Sequence, residues 1–487
     1  LHFVTGRLAE VALRGAAAEA AERYGFAHSV QVTPITVAAL ITPKWLSRHL
    51  NVPSTTTQVV LPGYCESVLD DPISAEAPQI SWRQRLAEIA HLDPANIVCG
   101  PKDCRDIDAW LGGKTREVDL SRYSIEIIAE INHAPRLSLD EIVALAGALR
   151  RDGADRIDVG CDAGRPCRVI GDYVAALVDA GHRVSIDTFD EQETRDAIRS
   201  GASLVLSVNS SNRRAAADWG CEVVAIPDTP EDLASLDTTI EFLDRHAVPL
   251  RLDPILEPIG SGFGDSVLRY AQTRDRYPDH AMMMGIGNLT ELTDVDSAGV
   301  NMLLLGLCEE WQVGSVLTTQ VINWARSSIR ECDIARRLVH HSIATGTPPK
   351  RLSDQLVMLR DAKLRPYSEQ AIDALAEGIR DNNYRILAQD GVIHLISGGL
   401  HLQGDEPFAI MGDLLQRPQA ENVDASHAFY LGFELAKAKL AIQLGKQYEQ
   451  DEALRWGHLT VEEQSHRLAR RARKSGKRSR AEADEDR

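Results

Sequence analysis

The stretch His182–Ser211, HRVSIDTFDEQETRDAIRSGASLVLSVNSS, decides how the rest of the chain is read. Val184-Ser185-Ile186 has strand character and stops at Asp187-Thr188. A helix-forming segment follows at once, and after Gly201-Ala202 a second apolar run, SLVLSV, begins. A strand, a helix and a strand joined by short turns predict a parallel βαβ unit. The near-continuous apolar strands, without polar alternation, predict a sheet buried on both faces.

Working outward, the same rhythm repeats from Tyr123 onward. Eight strands are expected: IEIIAEI, RIDVG, RVSID, SLVLSV, EVVAI, LRLD, MMMGI and GSVLT. Helical segments such as LDEIVALAGALRRDG and TPEDLASLDTTIEFLDRHA separate them. Eight β/α units in roughly 220 residues are the count and length of a (β/α)8 TIM barrel, placed at 119–348. Before it, the short strands HFVTG, SVQV, QVVLPG and NIVCGPKD alternate with helical stretches, predicting a Rossmann-like α/β domain over 1–118. Its Gly6, Gly63 and Gly100 follow strands, where an open parallel sheet places either ligand loops or simple tight turns. After it, YRILAQDGVIHLISGGLHLQGDEPFAIMG alternates strands with turn residues around Asp390-Gly391, and a long helix follows. An α+β domain is therefore expected over 349–460, then a charged, disordered tail at 461–487.

Composition narrows the class. The formal net charge of −18 opposes a nucleic-acid-coating role, which needs a basic face. No apolar run approaches the ~20 residues of a membrane span, so no membrane partner is expected. The start, LHFVTGRLAE, lacks the pattern of a signal peptide and lacks a methionine, so an unusual start or missing residues are expected. The eight cysteines form no CxxC pair and read as reduced structural thiols of a cytoplasmic protein.

Active sites of such barrels lie at the C-terminal ends of the strands. Those ends carry Glu130, Asn132 and His133; Asp158 and Asp162; Asp187 and Thr188; Ser207, Asn209 and Ser210; Asp253; and Gly285, Gly287 and Asn288. Carboxylates and carboxamides with almost no lysine or histidine suit a flat heterocycle with donor and acceptor edges. No nucleophile stands beside a base, which opposes triad hydrolysis. Three aspartates and a histidine could instead hold a divalent metal, and Asp158 and Asp187 could merely cap the helices that follow.

In register along these units, AEIN, RIDVG with GRPC, VSIDT, LDPILEPIGSGFGD and MMMGIGN resemble the pterin-binding barrel of dihydropteroate synthases, over 122 to about 320. The three-part layout resembles the archaeal-type synthase-related proteins associated with tetrahydromethanopterin. The resemblance implies that Asp187 grips the pyrimidine edge of a reduced pterin. Asp253 would take a second polar edge, with Asn209 or Ser207 beside it and Gly285 and Asn288 completing the pocket. Asn132 would stand near a pyrophosphate and its Mg²⁺. The implied reaction joins a pterin pyrophosphate to a ribofuranosylaniline-type arylamine, in an expected homodimer.

The chain departs from that pattern. Asn288 stands where basic residues are expected, Asp265 replaces a lysine, and Leu206-Ser207 replaces an Asn-Asp pair. Arg136, Arg165 and Arg213, which follow strands one, two and four, are the remaining candidates for pyrophosphate. The same barrel serves one-carbon transferases that bind a methylated reduced pterin, where an asparagine in the place of Asn288 is expected. A non-catalytic pterin-binding scaffold is the third expectation.

Overall fold

The computed structural model describes residues 1–74, 79–114, 118–162, 164–361, 364–379 and 383–463. Most of the tail expected at 461–487 lies outside the described residues. One compact unit spans Leu1–Leu352 and a second begins at Ser353.

The first unit opens with strands β1 (His2–Thr5), β2 (Ser29–Val32), β3 (Val59–Leu61) and β4 (Ile97–Cys99), a parallel sheet in the order β2-β1-β3-β4. All four expected strands are present. A Cβ added at Gly6 would lie 2.7 Å from the Ile35 carbonyl oxygen, and one at Gly63 would lie 2.6 Å from that of Gly100. These glycines let neighbouring backbone pack against the strand ends, so their space is filled by the protein itself.

Eight strands then close into a parallel barrel: β5 (Glu126–Ile131), β6 (Arg156–Gly160), β7 (Val184–Asp187), β8 (Leu204–Val208), β9 (Glu222–Ala225), β10 (Leu250–Leu252), β11 (Ala281–Gly285) and β12 (Ser315–Thr318). Each coincides with an expected apolar run, and β12 pairs with β5 to close the ring. Ile128, Leu204, Leu206, Val224 and Met283 pack together inside, so the barrel is a filled core.

The expected capping role of Asp158 and Asp187 is not what the structure shows. The helix Glu191–Arg199 is capped by Asp190, whose Oδ1 accepts from the Gln192 and Glu193 amides at 2.8 and 2.9 Å. The helix after β6, Ile170–Asp179, starts from Val169 with no side-chain cap. Asp158 and Asp187 are thereby left free of helix-capping duty.

The strand arginines gather at the opposite, N-terminal end of the barrel. Glu126 at the start of β5 binds Arg156 at 3.2 Å, Arg183 at 3.0 Å and Arg251 at 2.5 Å, and Arg251 also binds Glu222 at 2.8 Å. Arg156, Arg183 and Arg251 thus close the barrel floor with Glu126 and Glu222.

The second unit carries β13 (Arg385–Gln389), β14 (Val392–Ser397), β15 (Leu400–Gly404) and β16 (Tyr448–Glu449), antiparallel in the order β15-β14-β13-β16. The β13–β14 turn is Asp390-Gly391, both residues at positive φ (49° and 80°), as a tight two-residue hairpin turn requires. The helix Ala425–Leu444 buries Leu431, Leu435, Ala438 and Ala441 against Ile386, Ile393 and Leu395. Among the described residues no helix is long and apolar enough to cross a membrane.

Candidate functional site

Strand alternation turns every second residue inward, so the last inward residue of each strand meets at the C-terminal mouth. A cavity of about 290 Å³ lies there, lined by Asn132, Asp187, Ser207, Asp253, Gly285 and Asn288 among others. These six come from β5, β7, β8, β10 and β11 or the turns directly after them, so residues up to about 155 positions apart in sequence share one pocket.

Asp187, Ser207, Asp253 and Asn288 are each held by a hydrogen bond. Ser207 Oγ donates to Asp187 Oδ1 at 2.9 Å. Ser207 sits at φ 66°, where the β8–β9 register shifts between Val205 and Val208. That bulge re-aims the strand end, which is how Leu206 and the adjacent Ser207 both line the cavity. Asp253 Oδ1 accepts from Tyr270 Oη at 2.5 Å and from the Ile255 amide at 2.8 Å. Ile255 lines the cavity at φ 66°, a strained conformation for a β-branched residue. Asn288 Nδ2 donates to the Leu256 carbonyl at 3.1 Å, tying the turn after β11 to the loop after β10. Gly285 faces Asp253 and Asn288: a Cβ there would come within 3.8 Å of Asp253 Oδ2 and 4.0 Å of Asn288 Nδ2.

The mouth is strongly acidic. Glu130, Asp187, Asp253 and Glu291 all line it, and no lysine or arginine does so among the described residues. Burial, with Asp187 and Glu291 nearby, pushes the Glu130 carboxyl up to about 7. Burial pushes Asp253 up to about 6, with the Tyr270 hydrogen bond opposing the rise. Asp187 is raised by burial. Asp158 is raised well above the usual carboxylate range by burial and then by Asp187 and Glu130. It is 0% exposed and stands opposite the equally buried Ser185 in the β6–β7 register, whose hydroxyl opposes the rise. Asn132 Oδ1 and Glu291 Oε1 are buried without partners.

Of the residues assigned to the pterin or pyrophosphate, four do not line the cavity, nor do His133, Asp158, Asp162, Thr188 and Ser210. Asn209 Oδ1 accepts from the Ser211 amide at 3.0 Å and Ser211 Oγ at 2.7 Å, a local turn that holds it in its own loop. Arg136 binds both oxygens of Asp162, at 2.8 and 3.0 Å. This pair, with His133, holds Asp162 down at about 2. Arg165 is exposed in the loop after β6. Arg213 donates to Thr239 Oγ1 at 3.1 Å and lies over the Phe242 ring at 5.7 Å, on the outer helix Leu233–Arg245. Following a strand in sequence does not make a long side chain turn inward. Arg213→Ala is accordingly expected to leave ligand affinity at the mouth within twofold of wild type, measured by calorimetric titration with a dihydropterin.

Glu130 was visible as a strand-end residue but carried no assigned role, and Asp158 was read only as a helix cap or one of three aspartates able to hold a metal. Glu291 and Tyr270 were not singled out. Glu291 had one signal, its i, i+3 spacing from Asn288, which puts both on one face of a helical turn. Tyr270 had none, because it reaches Asp253 from the helix Phe263–Arg276 by tertiary packing alone.

Residues 131–234 match the family model described as "Pterin binding enzyme", and residues 1–77 match "Family of unknown function (DUF6513)". An uncharacterized protein of Methanocaldococcus jannaschii is 27% identical over 380 residues, 68% of this chain and 69% of that protein. Among solved structures, a Yersinia pestis dihydropteroate synthase with a pterin–sulfa conjugate is 17% identical. It covers 47% of this chain and 95% of its own, with a TM-score of 0.38. The Xanthomonas albilineans dihydropteroate synthase in complex with 7,8-dihydropteroate is 21% identical, with the same coverages and a TM-score of 0.36.

Proposed function

We propose, for a chain whose barrel is that of a dihydropteroate synthase-related pterin-binding protein, that the mouth binds a reduced pterin and joins its pyrophosphate ester to an arylamine. The observation that carries the binding half is the convergence of Asp187, Ser207, Asp253 and Asn288 on one cavity. A carboxylate held by Ser207 accepts from the N–H and NH₂ groups of a pterin's pyrimidine edge. Asp253, fixed by Tyr270 and the Ile255 amide, takes a second donor. A ligand held this way presents its methylene to the open side of the mouth, and orientation is the main contribution the barrel makes.

In the condensation the amine nitrogen forms a C–N bond to the pterin methylene as the C–O bond to pyrophosphate breaks. The electron pair leaves with pyrophosphate, and the product nitrogen loses a proton to water. The departing charge meets an acidic mouth, so Mg²⁺ is part of the proposal. The oxygen donors fit it: Asn132 Oδ1 is buried without a partner, and Mg²⁺ takes one or two protein oxygens together with substrate phosphates and water. When bound, the ion would neutralise the pyrophosphate. A ribofuranosylaniline-type amine, and a place in tetrahydromethanopterin biosynthesis, follow from the resemblance of the layout.

One observation favours a second reading. Asn288 lines the cavity and no basic side chain does, which suits transfer of a one-carbon unit from a reduced pterin that carries no pyrophosphate. The assay that separates them incubates the protein with a pterin pyrophosphate and an arylamine phosphate, with and without chelator. Product that requires Mg²⁺ is the expected result. No product under any condition, with methyl or methylene transfer that is lost in Asn288→Ala, would replace the condensation by the transfer.

A further inference from the structure

The helix Ala425–Leu444 of the second unit is apolar on both faces. One face, with Leu431, Leu435, Ala438 and Ala441, packs on the sheet. The opposite face is exposed, and Phe429, Gly432, Phe433, Ala436, Leu440 and Gln443 line it without a charge. These positions recur at intervals of three and four, so they form one stripe along the helix. Phe429 is 70% exposed, Phe433 44% and Leu440 45%. The charges of the helix are placed elsewhere. Glu434 and Lys437 are buried and pair with each other at 3.0 Å. Lys439, at the edge of the stripe, donates to the Asp405 carbonyl at 2.6 Å. That bond sets the start of the helix Pro407–Leu415 beside Leu440, and on that helix Phe408 is 87% exposed. A helix that is apolar all round is ordinarily buried all round. A surface that hides a lysine and a glutamate while exposing three phenylalanines is one built to be covered.

We propose that this face is a self-association surface, on which a second copy of the chain packs the same helix about a two-fold axis. It is a contact of the second unit, additional to any that the barrel makes, and it does not depend on the ligand of the barrel mouth. The shape is self-complementary. Phe429 and Phe433 form a ridge at i, i+4, and Gly432 and Ala436 form the neighbouring groove at the same spacing. Two copies can therefore pack ridge into groove, each presenting the same patch to the other. Gly432 opens the groove: a Cβ there would meet nothing within 4 Å in the protomer. Charge favours a second copy as well. The chain carries a net charge of −18, so two copies repel over most of their surface, and an uncharged face is where they can meet. A partner of opposite charge would instead be drawn to the acidic surface. The exposed parts of Phe408, Phe429 and Phe433 amount to about two whole side chains, on the order of 400 Å². That is about half of the ~800 Å² that each partner gives to a stable interface, and Leu440 and the small residues of the stripe add to it. The chain's own end cannot cover the rings, because Leu468 is the single large apolar residue in 464–487.

The test is the molar mass of the full chain by sedimentation across a dilution series, for wild type and for its Gly432→Glu and Phe429→Ser variants. Gly432→Glu enters open space in a helix interior, where glutamate is the better helix former. The protomer should therefore melt no lower than wild type, and thermal melts report the folding of both variants. In the complex the new side chain fills the groove and sets two carboxylates against each other. Concentration-dependent association is expected in wild type, weakened at least a hundredfold in Gly432→Glu and at least tenfold in Phe429→Ser. The step lost is dimer to monomer, or tetramer to dimer where the barrel makes its own contact. A wild type that stays monomeric across the series, or an assembly unchanged in both folded variants, would overturn the proposal. So would a monomeric wild type that binds neutral phosphatidylcholine vesicles and loses that binding in Gly432→Glu, which would assign the face to a lipid surface.

Discussion

Asp187→Asn is expected to lower dihydropterin affinity about a hundredfold, ~3 kcal/mol, because it removes the charge that two buried N–H groups of the ligand would meet. The substitution keeps the volume and keeps one oxygen to accept from Ser207, now 2.9 Å away. What it loses is one acceptor face and the ionised state, and its new NH₂ opposes a ligand NH₂. The folded protein should tolerate the change well. Asp187 is raised by burial and stands near Asp158, Glu130 and Asp253, so replacing one carboxylate relieves repulsion. A loss of affinity in a variant at least as stable as wild type separates a binding role from a folding role. Fluorescence titration with a dihydropterin, paired with thermal melts, reads both. Unchanged affinity would remove Asp187 from the pocket.

How much of this was legible depends on which interactions are local. The barrel's eight strands could be read because each is a short apolar run between turn residues, and burial on both faces writes itself into sequence without need of partners. The Asp390-Gly391 hairpin was legible for the same reason, since positive φ at two successive residues selects those residue types. Asp187, Asp253 and Asn288 were found because each lies within a residue or two of a strand end. Direction was not legible. Ser207 reaches the mouth only because a bulge turns it there, and Asn209, two residues on, is taken up by Ser211. Arg136 and Arg213 satisfied the sequence criterion but found nearer partners, Asp162 and the Phe242–Thr239 surface. A long flexible side chain settles wherever its charge is best matched. Depth was hidden too: Asp158 and Asp187 look alike in sequence, yet one is sealed in the barrel and the other faces the cavity.

Ligand affinity and apo stability are expected to respond to pH with opposite signs, and Asp253 is where this shows. Its folded pKa of about 6 lies above the ordinary 3.8, because burial penalises the charged form more than Tyr270 and the Ile255 amide repay it. A raised folded pKa means that the folded protein holds the proton more tightly than the unfolded chain. Asp253 therefore contributes stability that is fully present below the unfolded pKa near 4 and is lost as pH rises through about 6. The loss is on the order of 3 kcal/mol between those limits. A ligand that donates N–H groups to Asp253 needs the opposite state, the carboxylate. Its affinity should fall as pH drops through about 6, approaching tenfold per pH unit on the acid side, and be flat above. Binding near pH 5.5 should also release a proton, measurable by calorimetry in buffers of different ionisation enthalpy. The groups that face Asp253 include Asp187, whose charge is part of what raises it, so Asp253→Asn is the control. The variant should lose Asp253's share of the stability decline between pH 4 and 7, with the share of Glu130, pushed up to about 7, remaining, and most of the proton release at pH 5.5. A wild-type affinity that is flat from pH 5 to 8, with no proton released on binding, would mean that Asp253 meets the ligand as an acid and donates to it. The pterin would then present an acceptor edge to Asp253.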